Sequence, residues 1–354
     1  MNSIKNFFLH LSLMLFSKEI YGQIMLSVTL EKFQAKTSFS IDQVKLNPTI
    51  NEGLGKINIG GQRLFSVKIK GIPSQTFQQS LEKVSKNKKE SIIYDIQLLD
   101  IKENPVENRR IAGTMRLKVG FRKHHLGEDT LLCETSTSSS YIRSESANPS
   151  TYFETVLGKL VMNTLAYFDA WMLKNASKHE SFLKETRIDF LEDRTINNDD
   201  TLSYGIRRIT WDDFKGKASN PLFGAAIFTN FAYTSKFYIE NSILIAQIQT
   251  HTYMVRGMSW AKAQAKDDYG LAHEQLHFDI TKLVVEKFKQ KIKELAQEEK
   301  SMDDLNSRIQ YEYLESYREM NALQKQYDSE TGHSINRQAQ TYWLEKVKKQ
   351  LENF

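Results

Sequence analysis

The chain has one cysteine, Cys133, in 354 residues. No internal disulfide can form, so packing and hydrogen bonding must hold the fold together. Cys133 lies in Leu131-Leu132-Cys133-Glu134-Thr135, which reads as a strand, and a cysteine there packs as a small apolar residue rather than acting as a nucleophile. After residue 23 no apolar run reaches eighteen residues, so the rest of the chain has no segment able to span a bilayer as a helix. Nor is there a basic cluster interleaved with aromatics. The net charge of +5 comes from lysines spread along the chain, and a nucleic-acid partner is not expected. A hydrophobic fraction of 40% and a charged fraction of 26% exclude both a disordered chain and a multi-span membrane protein.

The length suffices for two domains, each with its own core. The first 23 residues stand apart. Lys5 supplies a positive start, Phe7 to Phe16 is a ten-residue, mostly apolar run, and a polar stretch then ends at small Gly22. This layout predicts a secretory signal peptide over 1–23 and an exported protein, periplasmic or extracellular.

Residues 24–180 read as an α+β domain of unknown role. Alternation predicts strands at Met25–Leu30, Leu64–Ile69, Ser91–Leu99 and Met115–Phe121, with turns at Gly60-Gly61, Gly71-Ile72-Pro73 and Asn104-Pro105. A helix is expected near Ser74–Lys86. A second opens at Thr151, with Glu154 completing a capping box and an apolar stripe from Phe153 to Met172. His124 and His125 are adjacent and face different ways, so a solvated turn is expected there. The polar stretch 181–203 reads as a linker.

The remaining segment, 204–354, begins with strand-like runs at Phe223–Phe231, Lys236–Glu240 and Leu244–Tyr253, then turns helical. Asp267-Asp268 opens a helix running to about Gln297. Two more helices are expected at Met302–Gln326 and Ile335–Leu351, separated by a polar turn, Tyr327 to His333.

The first of these helices carries His273-Glu274-Gln275-Leu276-His277. Residues four apart project from one helical face, so both imidazoles can bind one zinc ion. Glu274 is rotated about 100° away, within reach of a water on the metal but not of the metal itself. The expected chemistry is hydrolysis by a zinc-bound water that Glu274 deprotonates. A catalytic zinc needs a third protein ligand. His333 is the first candidate, Asp328 the second, and Glu312, Glu315 and Glu319 on the middle helix the third; His251 is weaker. Asp279 lies about 200° from His277 around the helix and should face away from the metal. It is read as a partner to Trp260, a backbone amide or Arg337, or as an orienting acceptor for the third ligand. Tyr327, Arg337 and Tyr342 are candidate oxyanion donors.

Leu271-Ala272-His273-Glu274-Gln275-Leu276-His277-Phe278-Asp279-Ile280 resembles the signature of a bacterial family described as predicted secreted zinc-dependent proteases. Ile209 to Gly216 resembles its opening motif. Ser259-Trp260-Ala261-Lys262 matches a segment before the helix. Tyr327 to His333, with Asn336, Gln340 and Trp343, matches its closing motif. The resemblance covers about 204–354 and implies a zinc metallopeptidase of the HExxH type, with His273, Glu274, His277 and His333 on its pattern. Ser334 departs from it, since glycine is expected there.

The expected architecture is α+β. An N-terminal α+β domain precedes a zincin-like domain with a small antiparallel sheet and a helical C-terminal half carrying the HExxH helix. The expected function is that of a secreted zinc-dependent peptidase acting on a peptide or protein substrate. Alternatives are a non-catalytic zincin-like binding module and a zinc amidase acting on cell-wall peptides.

Overall fold

The computed structural model describes residues 20–33, 37–61, 63–85, 88–220, 222–296 and 298–354. Most of the expected signal segment lies outside the described residues; its last positions, 20–23, belong to the first strand. The fold is mixed α+β, and the chain divides into two units between Asn175 and Ala176.

In the first unit β1 (Ile20–Leu26), β3 (Gly55–Ile59) and β4 (Arg63–Ile69) form one sheet in the order β1-β4-β3. A second sheet, in the order β2-β5-β6-β7, is built from β2 (Ser40–Leu46), β5 (Ser91–Val106), β6 (Arg110–His125) and β7 (Glu128–Ser144). Three helices join them: α1 (Thr49–Glu52), α2 (Pro73–Ser85) and α3 (Ser150–Asn175). Alternation along β6 buries Ile111, Met115, Leu117, Val119 and Phe121. The predicted apolar stripe of α3 is buried as well, and Phe168 stacks on Phe121 with ring centroids 4.1 Å apart. The expected capping box does not form: Glu154 instead accepts the distant Ser27 amide at 2.8 Å. His124 and His125 end β6 rather than sitting in a turn. The turn is Leu126-Gly127, with φ 51° and 87°, the left-handed pair that a two-residue hairpin requires.

The second unit contains β8 (Glu185–Phe190), β9 (Thr201–Ser203), β10 (Ala225–Ala226), β11 (Thr229–Glu240), β12 (Ile243–Val255) and β13 (Trp260–Ala261). The stretch 181–203 is therefore not a linker. β8 pairs in parallel with β12, from Glu185↔Ile243 to Phe190↔Ile248, and β9 pairs antiparallel with the far end of β12. Its polarity misled because Glu185, Arg187 and Asp189 alternate with the inward residues Thr186 and Ile188. The sheet is accordingly mixed, not purely antiparallel. β11 and β12 form its hairpin through Asn241-Ser242, again with φ positive at both residues.

Three helices follow: α4 (Asp268–Leu295), α5 (Met302–Thr331) and α6 (Arg337–Leu351). Asp267 caps α4 by accepting the Gly270 amide at 2.6 Å. One stretch of α4 buries Phe288 and Ile292 with Leu244, Ala246 and Ile248 of β12 and Leu305 and Ile309 of α5. Another face buries Leu276, Ile280 and Leu283 with Tyr327, Trp343 and Val347. Packed on both sides, α4 is a rigid platform for the side chains it carries.

Candidate metal centre

α5 runs five residues beyond the expected Gln326, to Thr331, and this sets the site. Tyr327 and Asp328 lie on the last helical turn and not in a loop. Gly332 ends the helix with φ 55°, and its amide and that of His333 satisfy the last carbonyls. His333 and Ser334 continue left-handed, with φ 53° and 72°. The position where the resemblance expects glycine is thus one that disfavours a side chain.

The last turn of α5 brings Asp328 to the two histidines of α4. Asp328 Oδ1 lies 3.2 Å from His273 Nε2 and 3.0 Å from His277 Nε2. The ligand atoms of these three residues all lie within 4.8 Å of one another. His333 was the first candidate for a third ligand and does not join this group. Its Nδ1 is 3.8 Å from Asp328 Oδ1, and its ring is half-exposed and lies against Phe223 with centroids 4.5 Å apart. Glu319 is also not a ligand, because it pairs with Lys287 and Lys291. Glu315 pairs with Arg318. His251 hydrogen-bonds Ser203 Oγ at 2.7 Å, away from the cluster.

The hydrogen bonds around His273 determine which of its nitrogens is bare. Gln340 Nε2 donates to the Tyr269 carbonyl at 3.2 Å, which fixes the amide with Oε1 toward His273 Nδ1, at 3.3 Å. Nδ1 must then carry the proton. In the neutral ring Nε2 is left with a lone pair directed at a carboxylate oxygen. Two lone pairs at 3.2 Å repel unless a cation lies between them, either a proton or a metal ion. The donor set of two imidazole nitrogens and one carboxylate oxygen fits zinc. Gln340 supplies the orienting acceptor that metal-binding histidines usually have. Burial pushes the Asp328 carboxyl up, but hydrogen bonds and positive charge from His273 and His277, when they carry protons toward it, hold it far below the usual carboxylate range. Tyr327 is fully buried, stacks on His273 at 4.6 Å and meets His277 edge-on at 4.9 Å, so both rings are held in place.

Glu274 points to the other wall of the same cleft. Burial raises its pKa from 4.5 to about 7, against the opposing effects of His273 and the Ile227 amide. That amide donates to Oε2 at 2.8 Å. Ile227 is held by its neighbours: β10 pairs with β13 through Ala226↔Trp260, and the Phe228 amide donates to Ser259 Oγ at 2.9 Å. The Ser259–Lys262 motif therefore aligns the wall that holds Glu274. The opening motif acts from elsewhere on α4. Asp213 is buried against Arg207 and Arg256, and the Ile209 amide donates to Gln275 Oε1 at 2.9 Å.

Of the remaining candidates only Tyr327 reaches the cluster, through its ring. Asp279 faces away, as its helical position implied; it accepts from Gln275 Nε2 at 2.7 Å and from the Tyr204 hydroxyl at 3.0 Å. Its partners are neither Trp260 nor Arg337. Tyr327 supports the rings and directs its hydroxyl to the His273 carbonyl, 3.4 Å away. Arg337 lies over the Tyr269 ring at 4.4 Å, and Tyr342 is exposed on α6. Sequence reasoning gave no role to Gln340 or Ile227. Gln340 did carry a signal, since it shares the spacing of Trp343 and Val347 and is a polar residue on the buried stripe of α6.

His273, Glu274, His277 and Asp328 open into a cleft of about 540 Å³. Its other walls come from residues 222–227, Tyr269 and the turn after α5.

No curated protein matches the chain. A crystal structure described as protein XCC0632 from Xanthomonas campestris, family DUF330, is 10% identical. It covers 45% of this chain and 99% of its own, with a TM-score of 0.28. Another, described as an uncharacterized protein, is 7% identical and covers 44% of this chain and 99% of its own, with a TM-score of 0.24. Residues 258–334, the segment containing the whole His273-His277-Asp328 cluster, match the family model described as "Bacterial protein of unknown function (DUF922)".

Proposed function

We propose that the second unit is a zinc-dependent hydrolase of the peptidase class, with His273, His277 and Asp328 as metal ligands and Glu274 as general base. The observation that carries this reading is the convergence of His273 Nε2 and His277 Nε2 on one oxygen of Asp328, at 3.2 and 3.0 Å, with His273 Nδ1 committed to Gln340. A bound zinc ion would supply Lewis acidity toward a carbonyl and lower the pKa of a coordinated water. Glu274, with an acidity near neutrality, accepts the proton of the attacking water and delivers it to the leaving amine. The Ile227 amide keeps its carboxylate turned to the cleft wall. The apolar run Phe7–Phe16 supports export of the chain. A peptide or protein is the substrate class whose cleavage needs both a polarised carbonyl and a proton for a leaving amine.

Metal content of the purified protein tests this reading. One zinc per chain is expected in wild type and in His333→Ala, and loss is expected in His277→Ala and Asp328→Ala. Absence of zinc from metal-replete wild type would sink it.

A second reading, a non-catalytic zincin-like binding module, draws on one observation. His333 Nδ1 lies only 3.8 Å from Asp328 Oδ1, close enough for a small turn movement to add a fourth protein donor. A four-ligand site leaves no position for water and is structural. Lower zinc affinity in His333→Ala would favour that reading.

A further inference from the structure

The chemistry of the cleft walls, taken with the hydrolase reading on which this inference rests, bears on the substrate. Two of the most exposed large apolar side chains in the described residues stand at this cleft: Leu222, 85% exposed, and Ile335, 84% exposed. They come from different segments. Leu222 precedes Phe223, and Ile335 follows His333 by two residues, while Phe223 and His333 touch ring to ring. The two walls therefore meet at that contact, with an apolar side chain on each. The wall continues through Ala225, Ala226 and Ile227 to the amide that holds Glu274. Among the described residues no lysine or arginine lines the cleft, whereas Asp267, Glu274 and Asp328 do.

Leaving two aliphatic side chains this exposed gains nothing for the fold, but an apolar group seated between them would remove their surface from water. An acidic side chain seated between Leu222 and Ile335 would leave water for aliphatic neighbours, with no lysine or arginine of the cleft to pair with it. We infer that Leu222 and Ile335 are specificity-determining residues, and that the cleft takes peptides with a large aliphatic or aromatic side chain beside the scissile bond and rejects acidic ones.

The test is binding of amino-acid hydroxamates to the zinc-loaded full chain by calorimetry. These are small chelating probes that need no turnover. Leucine and phenylalanine hydroxamates should bind at least about tenfold more tightly than glycine hydroxamate, and glutamate hydroxamate more weakly than glycine. In Leu222→Ser/Ile335→Ser the advantage of leucine should shrink to near unity, with glycine hydroxamate affinity and zinc content unchanged. Both residues are exposed, so the variant should fold, and an unchanged circular dichroism melt would confirm that. Equal affinity for all side chains, or a leucine preference that survives the double substitution, overturns this inference and leaves the hydrolase reading standing. Failure of every hydroxamate to bind a zinc-loaded chain overturns both.

Discussion

Each unit buries a cluster of ionisable side chains, and the two clusters differ in whether their hydrogen bonds close. In the first unit Arg143 and Glu103 are almost fully buried. Arg143 Nε donates to Glu103 Oε1 at 2.8 Å and Nη2 to Oε2 at 2.5 Å, with a further bond to the Asn58 carbonyl at 2.7 Å. Tyr141 adds its hydroxyl to Glu103 at 2.9 Å. Every charge has a counter-charge and every donor in this set an acceptor, so nothing is left to bind a ligand. In the second unit His273 Nε2 and His277 Nε2 converge on one Asp328 oxygen, the His277 Nδ1 has no partner among the described residues, and Glu274 is buried against a single backbone amide. Burial of charge is common to both. The second cluster closes only when a proton or a metal ion lies between its rings and its carboxylate, and the proposed zinc site draws on that difference.

Substitutions can sharpen this contrast. The largest expected effect is on catalysis: Glu274→Gln should lower peptide hydrolysis by about 10²–10⁴-fold while keeping its zinc, measured as turnover against metal content. The same change should stabilise the metal-free protein. Because burial raises the Glu274 pKa from 4.5 to about 7, the wild-type carboxyl costs stability fully above pH 7 and not at all below pH 4.5. The gain in unfolding free energy of the variant, read by urea denaturation, should therefore be greatest at pH 8, of order 3–4 kcal/mol at about 1.4 kcal/mol per pKa unit, and vanish by pH 4.

Next in size, Glu103→Ala should cost about 3–5 kcal/mol by leaving Arg143 buried and alone. Zinc content should not change, and a variant that lost zinc would break the separation of the two clusters. Gln340→Leu frees the His273 tautomer and should weaken zinc binding about 10–100-fold in a chelator competition, with little effect on folding. The smallest effect expected is at Asp193, whose carboxyl accepts from Lys282, Lys289 and Thr250 at 2.6–2.7 Å. These partners hold its pKa at about 2 against burial, so its contribution is present above about pH 4 and lost as pH falls toward 2. Asp193→Asn should cost about 1–2 kcal/mol at pH 7 in urea denaturation, with the two curves converging near pH 2.

Helical periodicity was legible in the sequence because it acts over one turn. The start of α4 at its Asp267 cap, the shared face of His273 and His277, and the outward position of Asp279 all followed from 3.6 residues per turn. The third member of the cluster depends on where α5 stops. Gly332 marked that stop, yet the polar run Tyr327–Thr331 read as a turn, which placed Asp328 in a loop and favoured His333. Tyr327 is fully buried and shares the helical face of Met320 and Leu323, a spacing that argues for helix through this run. β8 was missed for a related reason. Its parallel partner lies more than fifty residues away, and no local signal reports a long-range pairing.

The way α4 and α5 are joined has a kinetic consequence. His273 and Asp328 lie 55 residues apart, but they meet within one helical hairpin whose connection spans only residues 296–301. Contacts of this kind close with little loss of chain entropy, whereas docking β8 on β12 must enclose most of the intervening sheet. Topology therefore favours assembly of the paired helices, with both imidazoles and the carboxylate in place, ahead of the completed sheet. On the proposed zinc reading, metal added at the start of refolding should shorten the refolding time in stopped-flow fluorescence relative to metal added at its end.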